Sequence, residues 1–256
     1  MAYLSGLRER SRRSLLALPR RSAAALRRIA TCVPGACALC MARVHGGRLC
    51  AVCADMATAT MRDGRPRCPR CAVGVDQAGV PCMECRIAPP AFERIVAAFD
   101  YAPPGDVLIR QWKVDLRYTH VRLLGNLVEQ AVRDARLRLP ASTILAAVPS
   151  SAPSIRRRGF NPAAELARQL AGALSLPLRS GLLQRGPQGD KQAALPRSER
   201  IRNVVGLYHC TQALQGRTVL VVDDVLTTGA TVDAVARSLK AAGAERVLGV
   251  VAARAP

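Results

Sequence analysis

Apolar residues recur along this chain in two rhythms. Residues 218–222 (TVLVV) and 143–148 (TILAAV) are unbroken apolar runs with the length and β-branched character of buried parallel strands. After the first run come two acids, Asp223 and Asp224, then Val225, Leu226 and the small polar stretch Thr227-Thr228-Gly229-Ala230-Thr231. Val232, Val235, Leu239 and Ala242 follow at helical spacing, and Gly243 is placed to cap the helix. The pattern predicts strand, loop and a helix over about 229–242. The 143–148 run ends in Pro149-Ser150, and Asn161 and Pro162 suit the cap and first turn of a helix that buries Leu166 and Leu170. Leu124, Val128, Ala131, Val132 and Ala135 predict a further helix over about 121–139. Near the start, Leu4, Leu7, Leu15, Leu18, Leu26 and Ile29 recur close to every 3.5 residues, but Pro19 interrupts any continuous helix. No run of 18 or more apolar residues occurs, so no transmembrane helix is expected.

Composition sharpens this picture. The chain has 256 residues, enough for one medium domain and a small one. Half of them are hydrophobic but only 3% are aromatic, so the core must be built from Ala, Val and Leu. Lys and Arg number 38 against 18 acids, a formal net charge of +20, and Lys113, Lys191 and Lys240 are the only lysines. A field of this sign concentrates anionic partners near the surface without naming one. Residues 1–31 hold eight Arg and one Glu, and residues 155–202 hold ten basic and three acidic side chains. The first segment has the composition of an organellar transit peptide or of a disordered basic tail. No uninterrupted apolar core of signal-peptide length precedes the cysteines, so secretion is not expected and a cytoplasmic location is.

Eight of the ten cysteines form four C-x-x-C pairs: Cys37/Cys40, Cys50/Cys53, Cys68/Cys71 and Cys82/Cys85. Each C-x-x-C turn sets two thiolates at two corners of a tetrahedral zinc site, and two turns complete the four. The first four cysteines reappear 31 or 32 residues later, with Gly46 and Gly47 between the knuckles of one copy and Gly79 in the other. The repeat therefore favours two sequential zinc ribbons over an interleaved pair. The competing readings are a disulfide framework and a redox C-x-x-C, and neither accounts for four regular knuckles without a secretory signal. Metal would supply folding energy that so small a core lacks. Cys32 and Cys210 have no spacing partner and are read as incidental thiols.

The loop after residues 218–222 has legible chemistry. Two carboxylates at a strand end accept hydrogen bonds from vicinal hydroxyls, and small hydroxyl and glycine residues let successive backbone N–H groups surround a phosphate at a helix N-terminus. Diol and phosphate together indicate a sugar phosphate. Neither a Walker loop nor a G-x-G-x-x-G fingerprint occurs. Such ligands bind at the carboxyl edge of a doubly wound sheet. Pyrophosphate would need cationic neighbours, for which Lys113, Arg156 to Arg158 and Arg200 are candidates beside the turn at Pro149-Ser150.

The string Val221 to Thr231 resembles the phosphoribosyl pyrophosphate (PRPP) loop of type I phosphoribosyltransferases. The cysteine head, Phe99-Asp100-Tyr101-Ala102 with Lys113, Arg156-Arg157-Arg158-Gly159-Phe160-Asn161, and Gln192-x-x-Leu195 with Arg200 and Asn203 together resemble the ComF family of competence-associated proteins. The likeness runs from about residue 37 to the end. Pro162, Val114 and Tyr208 stand where that family commonly has Gln, an aromatic and Phe. The resemblance implies an α/β fold, a doubly wound and mostly parallel sheet of the type I phosphoribosyltransferase kind, with a small N-terminal tandem zinc ribbon. The implied division is a basic tail over 1–31, the ribbons over 32–90 and the sheet body over 91–256. Asp223 and Asp224 are implied to hold the ribose hydroxyls, and Thr227, Thr228, Gly229, Ala230 and Thr231 the 5′-phosphate, with magnesium accompanying PRPP. Some purine-salvage relatives carry a loop Asp that acts on the base. The corresponding position here is Thr227, which counts against nucleobase salvage.

Three functional readings follow. The protein transfers a phosphoribosyl group, senses PRPP without turnover, or acts as a competence factor that handles single-stranded DNA or a partner of the uptake machinery through its basic surface. The scarcity of stacking aromatics counts against the DNA reading.

Overall fold

The computed structural model describes residues 33–46, 48–186 and 206–256. The leucines of the N-terminal segment, Cys32, Lys191, Gln192, Leu195, Arg200 and Asn203 lie outside the described residues.

The body is a four-stranded parallel sheet. Its strands are β3 (Arg94–Asp100), β4 (Ile144–Ala147), β7 (Thr218–Leu226) and β8 (Arg246–Arg254), in the order β3-β8-β7-β4. Successive side chains of a strand point to opposite faces, and both faces here are apolar. Val219 and Val221 join Ile144, Ala146, Val247 and Val251 on one face, covered by Val232, Val235, Ala236 and Leu239 of α7 (Ala230–Ala241). Leu220 and Val222 join Leu145, Leu248 and Val250 on the other. That face is covered by Leu108, Ile109 and Trp112 of α3 (Gly105–Lys113), Leu124 and Val128 of α4 (His120–Asp134), and Leu166 and Leu170 of α6 (Pro162–Ala173). Burying each such side chain contributes about 2 kcal/mol. A short antiparallel pair, β5 (Leu183–Arg185) with β6 (Tyr208–Cys210), lies apart from the main sheet.

The expected elements form with shifted ends. The helix expected over 121–139 stops at Asp134, after which Arg136 takes a positive φ of 47°. The 218–222 strand continues to Leu226, so Asp223 and Asp224 belong to β7 and not to the loop after it. The parallel partner β8 runs alongside, pairing Asp223 with Val251 and Leu226 with Arg254. Arg156 to Arg158 fall in a short helix, α5 (Ala152–Arg158), which apolar periodicity could not announce because none of its residues is buried.

The head has two ribbons. The first comprises β1 (Pro34–Ala36), β2 (Arg43–His45) and α1 (Ala51–Thr58), and the second ends in α2 (Met83–Ile87). The repeat extends to the backbone: Met41 and Ala72, each four residues after the first cysteine of its set, both take a left-handed φ, 63° and 61°. Cys68, Cys71, Ala72 and Cys85 join the core cluster on the α7 face, whereas Cys37, Val44 and Cys53 form a small cluster of their own. Arg67 reinforces the seam with a bidentate pair to Asp100 at 2.7 and 2.8 Å. Burial works to raise the Asp100 pKa, but the Arg67 guanidinium outweighs it and holds the carboxyl below its usual value.

Helix α3 starts where there is no room for a side chain. A Cβ on Gly105 would stand 2.5 and 2.9 Å from two ring carbons of Phe99, which is fully buried. The Gly105→Ala variant is therefore expected to lose about 1–3 kcal/mol of stability. Thermal unfolding with an unchanged midpoint would contradict this packing.

Candidate functional site

The helices following β4 and β7 go to opposite faces of the sheet, α6 to one and α7 to the other. The carboxyl edge between these neighbouring strands is thus a topological switch point, where open α/β sheets bind ligands. Val148 N–H donates to the Val222 carbonyl at 3.0 Å, which sets Pro149-Ser150 beside Asp223.

Within β7 the acids are tightly held. Asp223 Oδ1 accepts from the Asp224 N–H at 2.8 Å, and Asp224 Oδ1 from the Val225 N–H at 2.6 Å. Asp224 Oδ2 pairs with Lys113 Nζ, the last residue of α3, at 2.8 Å. Burial pushes Asp223 up to about 8, the charge of Asp224 adds to the rise, and Lys113 and the Asp224 N–H only partly offset it.

The loop 227–229 then turns into α7. Gly229 sits at the helix N-cap with φ 81°, and a Cβ there would approach the Phe92 ring to 3.8 Å. That distance is ordinary van der Waals contact, so it is the left-handed backbone that favours glycine at this position. Thr228 Oγ1 accepts from the Ala230 N–H at 3.3 Å, and Thr231 follows in the first turn of the helix beside the buried Tyr208. Tyr208 also has the Arg185 guanidinium 5.7 Å from its ring centroid.

Across the crevice, Ser150 Oγ donates to Asn161 Oδ1 at 2.9 Å, and Asn161 Nδ2 donates to the Val148 carbonyl at 3.0 Å. Asn161 also caps α6 by accepting from the Ala163 N–H, with Pro162 at the first turn. Of the three consecutive arginines, Arg156 and Arg157 are exposed. Arg158 is half-buried, reaches Ser150 Oγ with Nη2 at 3.5 Å, and has a buried Nε with no partner among the described residues. Phe160 packs against Trp112 and Tyr118, with centroid spacings of 6.0 and 5.0 Å, and the Tyr118 hydroxyl donates to the Arg158 carbonyl at 3.4 Å. The structure thus brings Lys113, Pro149, Ser150, Asp223, Asp224 and the 227–231 loop to one sheet edge, while Arg200 lies outside the described residues. Sequence reasoning had not singled out Phe92 and Tyr208 as neighbours of this site, because their role is set by contact across the fold and not by a local motif.

The cysteines assemble as two sequential sets, Cys37, Cys40, Cys50 and Cys53, then Cys68, Cys71, Cys82 and Cys85. Within each, all sulfurs lie within 4.8 Å of one another. Cys40 to Cys50 and Cys71 to Cys82 are 3.6 Å between sulfurs, close to the roughly 3.8 Å edge of a tetrahedron with 2.3 Å zinc–sulfur bonds. Burial works to raise the pKa of each set's first thiol, but backbone N–H groups of the knuckle outweigh it. They bring Cys37 to about 6 and Cys68 to about 7, while burial pushes Cys53, Cys71 and Cys85 up. Four sulfurs this close together suit a divalent cation, so both tetrads can hold a metal and fit zinc. Cys210 belongs to neither tetrad and donates to the Gln212 carbonyl at 3.2 Å.

A parallel sheet crossed at this switch point, with a paired-acid strand end running into a threonine-rich helix start, defines the type I phosphoribosyltransferase class of fold. Residues 154–256 match the phosphoribosyl transferase domain family. The chain is 35% identical over 222 residues to the DNA utilization protein YhgH of Escherichia coli (strain K12), covering 84% of this chain and 95% of that protein. It is 29% identical over 189 residues to Competence protein F of Haemophilus influenzae, covering 71% and 82%. A solved purine phosphoribosyltransferase from Pyrococcus horikoshii is 15% identical, covers 63% of this chain and 87% of its own, and has a TM-score of 0.30. The protein belongs to the ComF family of phosphoribosyltransferase-like proteins. Among the described residues no helix is long and apolar enough to cross a membrane.

Proposed function

We propose that this protein binds PRPP at the carboxyl edge between β4 and β7, as a phosphoribosyltransferase-like protein working in the cytoplasm. The observation that carries the reading is the convergence of Asp223, Asp224, Lys113 and the Thr227–Thr231 loop at one switch point. Asp223 and Asp224 would accept hydrogen bonds from the ribose 2′- and 3′-hydroxyls. Backbone N–H groups and hydroxyls of residues 227–231 would receive the 5′-phosphate at the N-terminus of α7, where the helix dipole favours an anion. Ser150, the loop at Pro149 and the unpartnered Nε of Arg158 suit the pyrophosphate, to which Lys113 and Arg200 would add charge. Among the described residues the two cysteine tetrads are the only clusters of three or more metal-ligating side chains, so magnesium would arrive with the pyrophosphate. In a transfer reaction the magnesium would neutralise charge gathering on the leaving group. The two zinc-bound ribbons over 32–90 would be structural, with the body over 91–256 holding the ligand.

The test is calorimetry with magnesium and PRPP on the full chain. Wild type is expected to give a saturable isotherm, and the Asp223→Asn/Asp224→Asn double variant to bind at least about 100-fold more weakly, since two charge-assisted acceptors are lost. Identical isotherms from the two proteins would sink the assignment.

The relatives' names favour a second role, in the use of DNA, for which the basic N-terminal segment is the candidate contact. Single-strand affinity that falls steeply with salt, and that survives removal of residues 1–31, would place DNA on the body instead.

A further inference from the structure

Arg254 ends β8 and is 3% exposed, yet none of the acceptors of its hydrogen bonds among the described residues is a carboxylate. Its guanidinium instead spans two sites. On one side Nε donates to the Cys71 carbonyl at 3.0 Å, and Nη2 lies 4.0 Å from the Cys71 sulfur. On the other, Nη1 donates to the Thr227 carbonyl at 2.7 Å and reaches the Leu226 carbonyl at 3.4 Å, with the Ala255 carbonyl also in contact. The nearby acid that feels its charge, Asp100, is already held by Arg67. A buried cation without its own carboxylate is costly. It needs anionic character from what surrounds it.

We propose that Arg254 is a positioning residue that ties the second cysteine tetrad to the phosphate loop, so that metal at Cys68, Cys71, Cys82 and Cys85 and a sugar phosphate at Thr227–Thr231 strengthen each other's binding. This rests on the PRPP reading above. The physical link is the planarity of the peptide. In a trans peptide the C=O and the next N–H point in opposite directions. Fixing the Leu226 and Thr227 carbonyls on the guanidinium therefore turns the N–H groups of Thr227 and Thr228 away from it, as donors for the ligand. At the other end, a metal held by the four sulfurs would fix the Cys68–Cys71 knuckle, and with it the Cys71 carbonyl that accepts from Arg254 Nε at 3.0 Å. That holds the guanidinium in place against the loop. The first tetrad has no arginine bridge to the phosphate loop among the described residues: its cysteines cluster with Val44, and its knuckle meets the body through the Ala38 carbonyl, which accepts from Gln111 Nε2 at 3.4 Å.

Coupling between two sites is reciprocal, so it can be read without any variant. Zinc release from the full chain to a chromogenic chelator is measured with and without magnesium and PRPP, and cysteine alkylation mapped by mass spectrometry assigns each phase. PRPP is expected to slow release from the Cys68, Cys71, Cys82 and Cys85 set by about fivefold or more, and to leave the Cys37, Cys40, Cys50 and Cys53 set unchanged. In calorimetry, Arg254→Met is expected to weaken PRPP binding about tenfold, and Arg254→Lys, which keeps the charge with fewer donors, to fall between. Arg246→Met, at the half-buried start of the same strand where Arg246 pairs with Glu93 at 2.6 Å, serves as the control with wild-type affinity. Wild type that binds PRPP without protecting the second set, or an Arg254→Met protein with wild-type affinity, overturns the link alone. Wild type that does not bind PRPP overturns the site reading and the link with it.

Discussion

Replacing Cys85 by Ser is expected to destabilise the whole sheet body, by more than about 3 kcal/mol, whereas Cys40→Ser should cost the body little. The asymmetry follows from where the two tetrads sit. Cys68, Cys71 and Cys85 are buried in the same cluster as Ile95, Ala97, Val219, Val221 and the inner face of α7. Losing metal there leaves crowded thiols and a loosened knuckle inside the main core. The first tetrad's cysteines cluster within their own ribbon, with Cys40 exposed, and it is the neighbouring Ala38, Leu39, Leu49 and Ala57 that meet the body, so loss of this metal is felt mainly in the ribbon. Native full-length protein should carry two zinc ions per chain by elemental analysis. Denaturant unfolding followed by backbone circular dichroism should then show a lowered main transition for Cys85→Ser and not for Cys40→Ser. Equal effects would mean that the second ribbon is not part of the body's core.

The second large effect concerns Asp223. Its folded pKa, about 8, lies above the ordinary carboxyl value near 4, so between those limits the native protein keeps a proton that the unfolded chain has lost. Stability contributed by this group is therefore fully present below about pH 4 and falls as the pH rises toward 8. Asp223→Asn mimics the protonated form and can still accept from the Asp224 N–H. At pH 8 it should raise the stability of the ligand-free protein by about 1–2 kcal/mol while weakening PRPP binding by about tenfold, less than the double variant does, a trade of stability for function. Binding should also move the proton. Hydroxyls that donate to the carboxylate favour its ionised form, so PRPP binding at pH 7 should release protons, measured as a dependence of the calorimetric heat on the buffer's ionisation enthalpy. Uptake of protons, or a less stable Asp223→Asn protein, would contradict the proposed state of this acid.

Much of this architecture was legible beforehand because it depends on local periodicity. The apolar runs at 143–148 and 218–222, the helix that follows Asn161-Pro162, and the C-x-x-C repeat are patterns of neighbouring residues, and each formed close to its expected place. The misread ends have a common cause. Asp223 and Asp224 look like loop residues, but β8 offers a partner along their whole length and draws them into the strand. Helix α5 presents no buried face, so its arginines resembled an irregular basic stretch.

Taken alone, the amino-acid order determined the two cysteine sets, the strand–loop–helix of the phosphate loop and the α/β class, because spacing along the chain is what brings those groups to one turn or one face. Tertiary structure decided the rest. It chose Arg158 from three adjacent arginines by burial, set Lys113 against Asp224 across more than a hundred residues, and sank the second tetrad, but not the first, into the main core. It also placed the buried guanidinium of Arg254 between Cys71 and Thr227. Such pairings depend on strand order and layer packing, which bring together side chains that have no common signal in sequence.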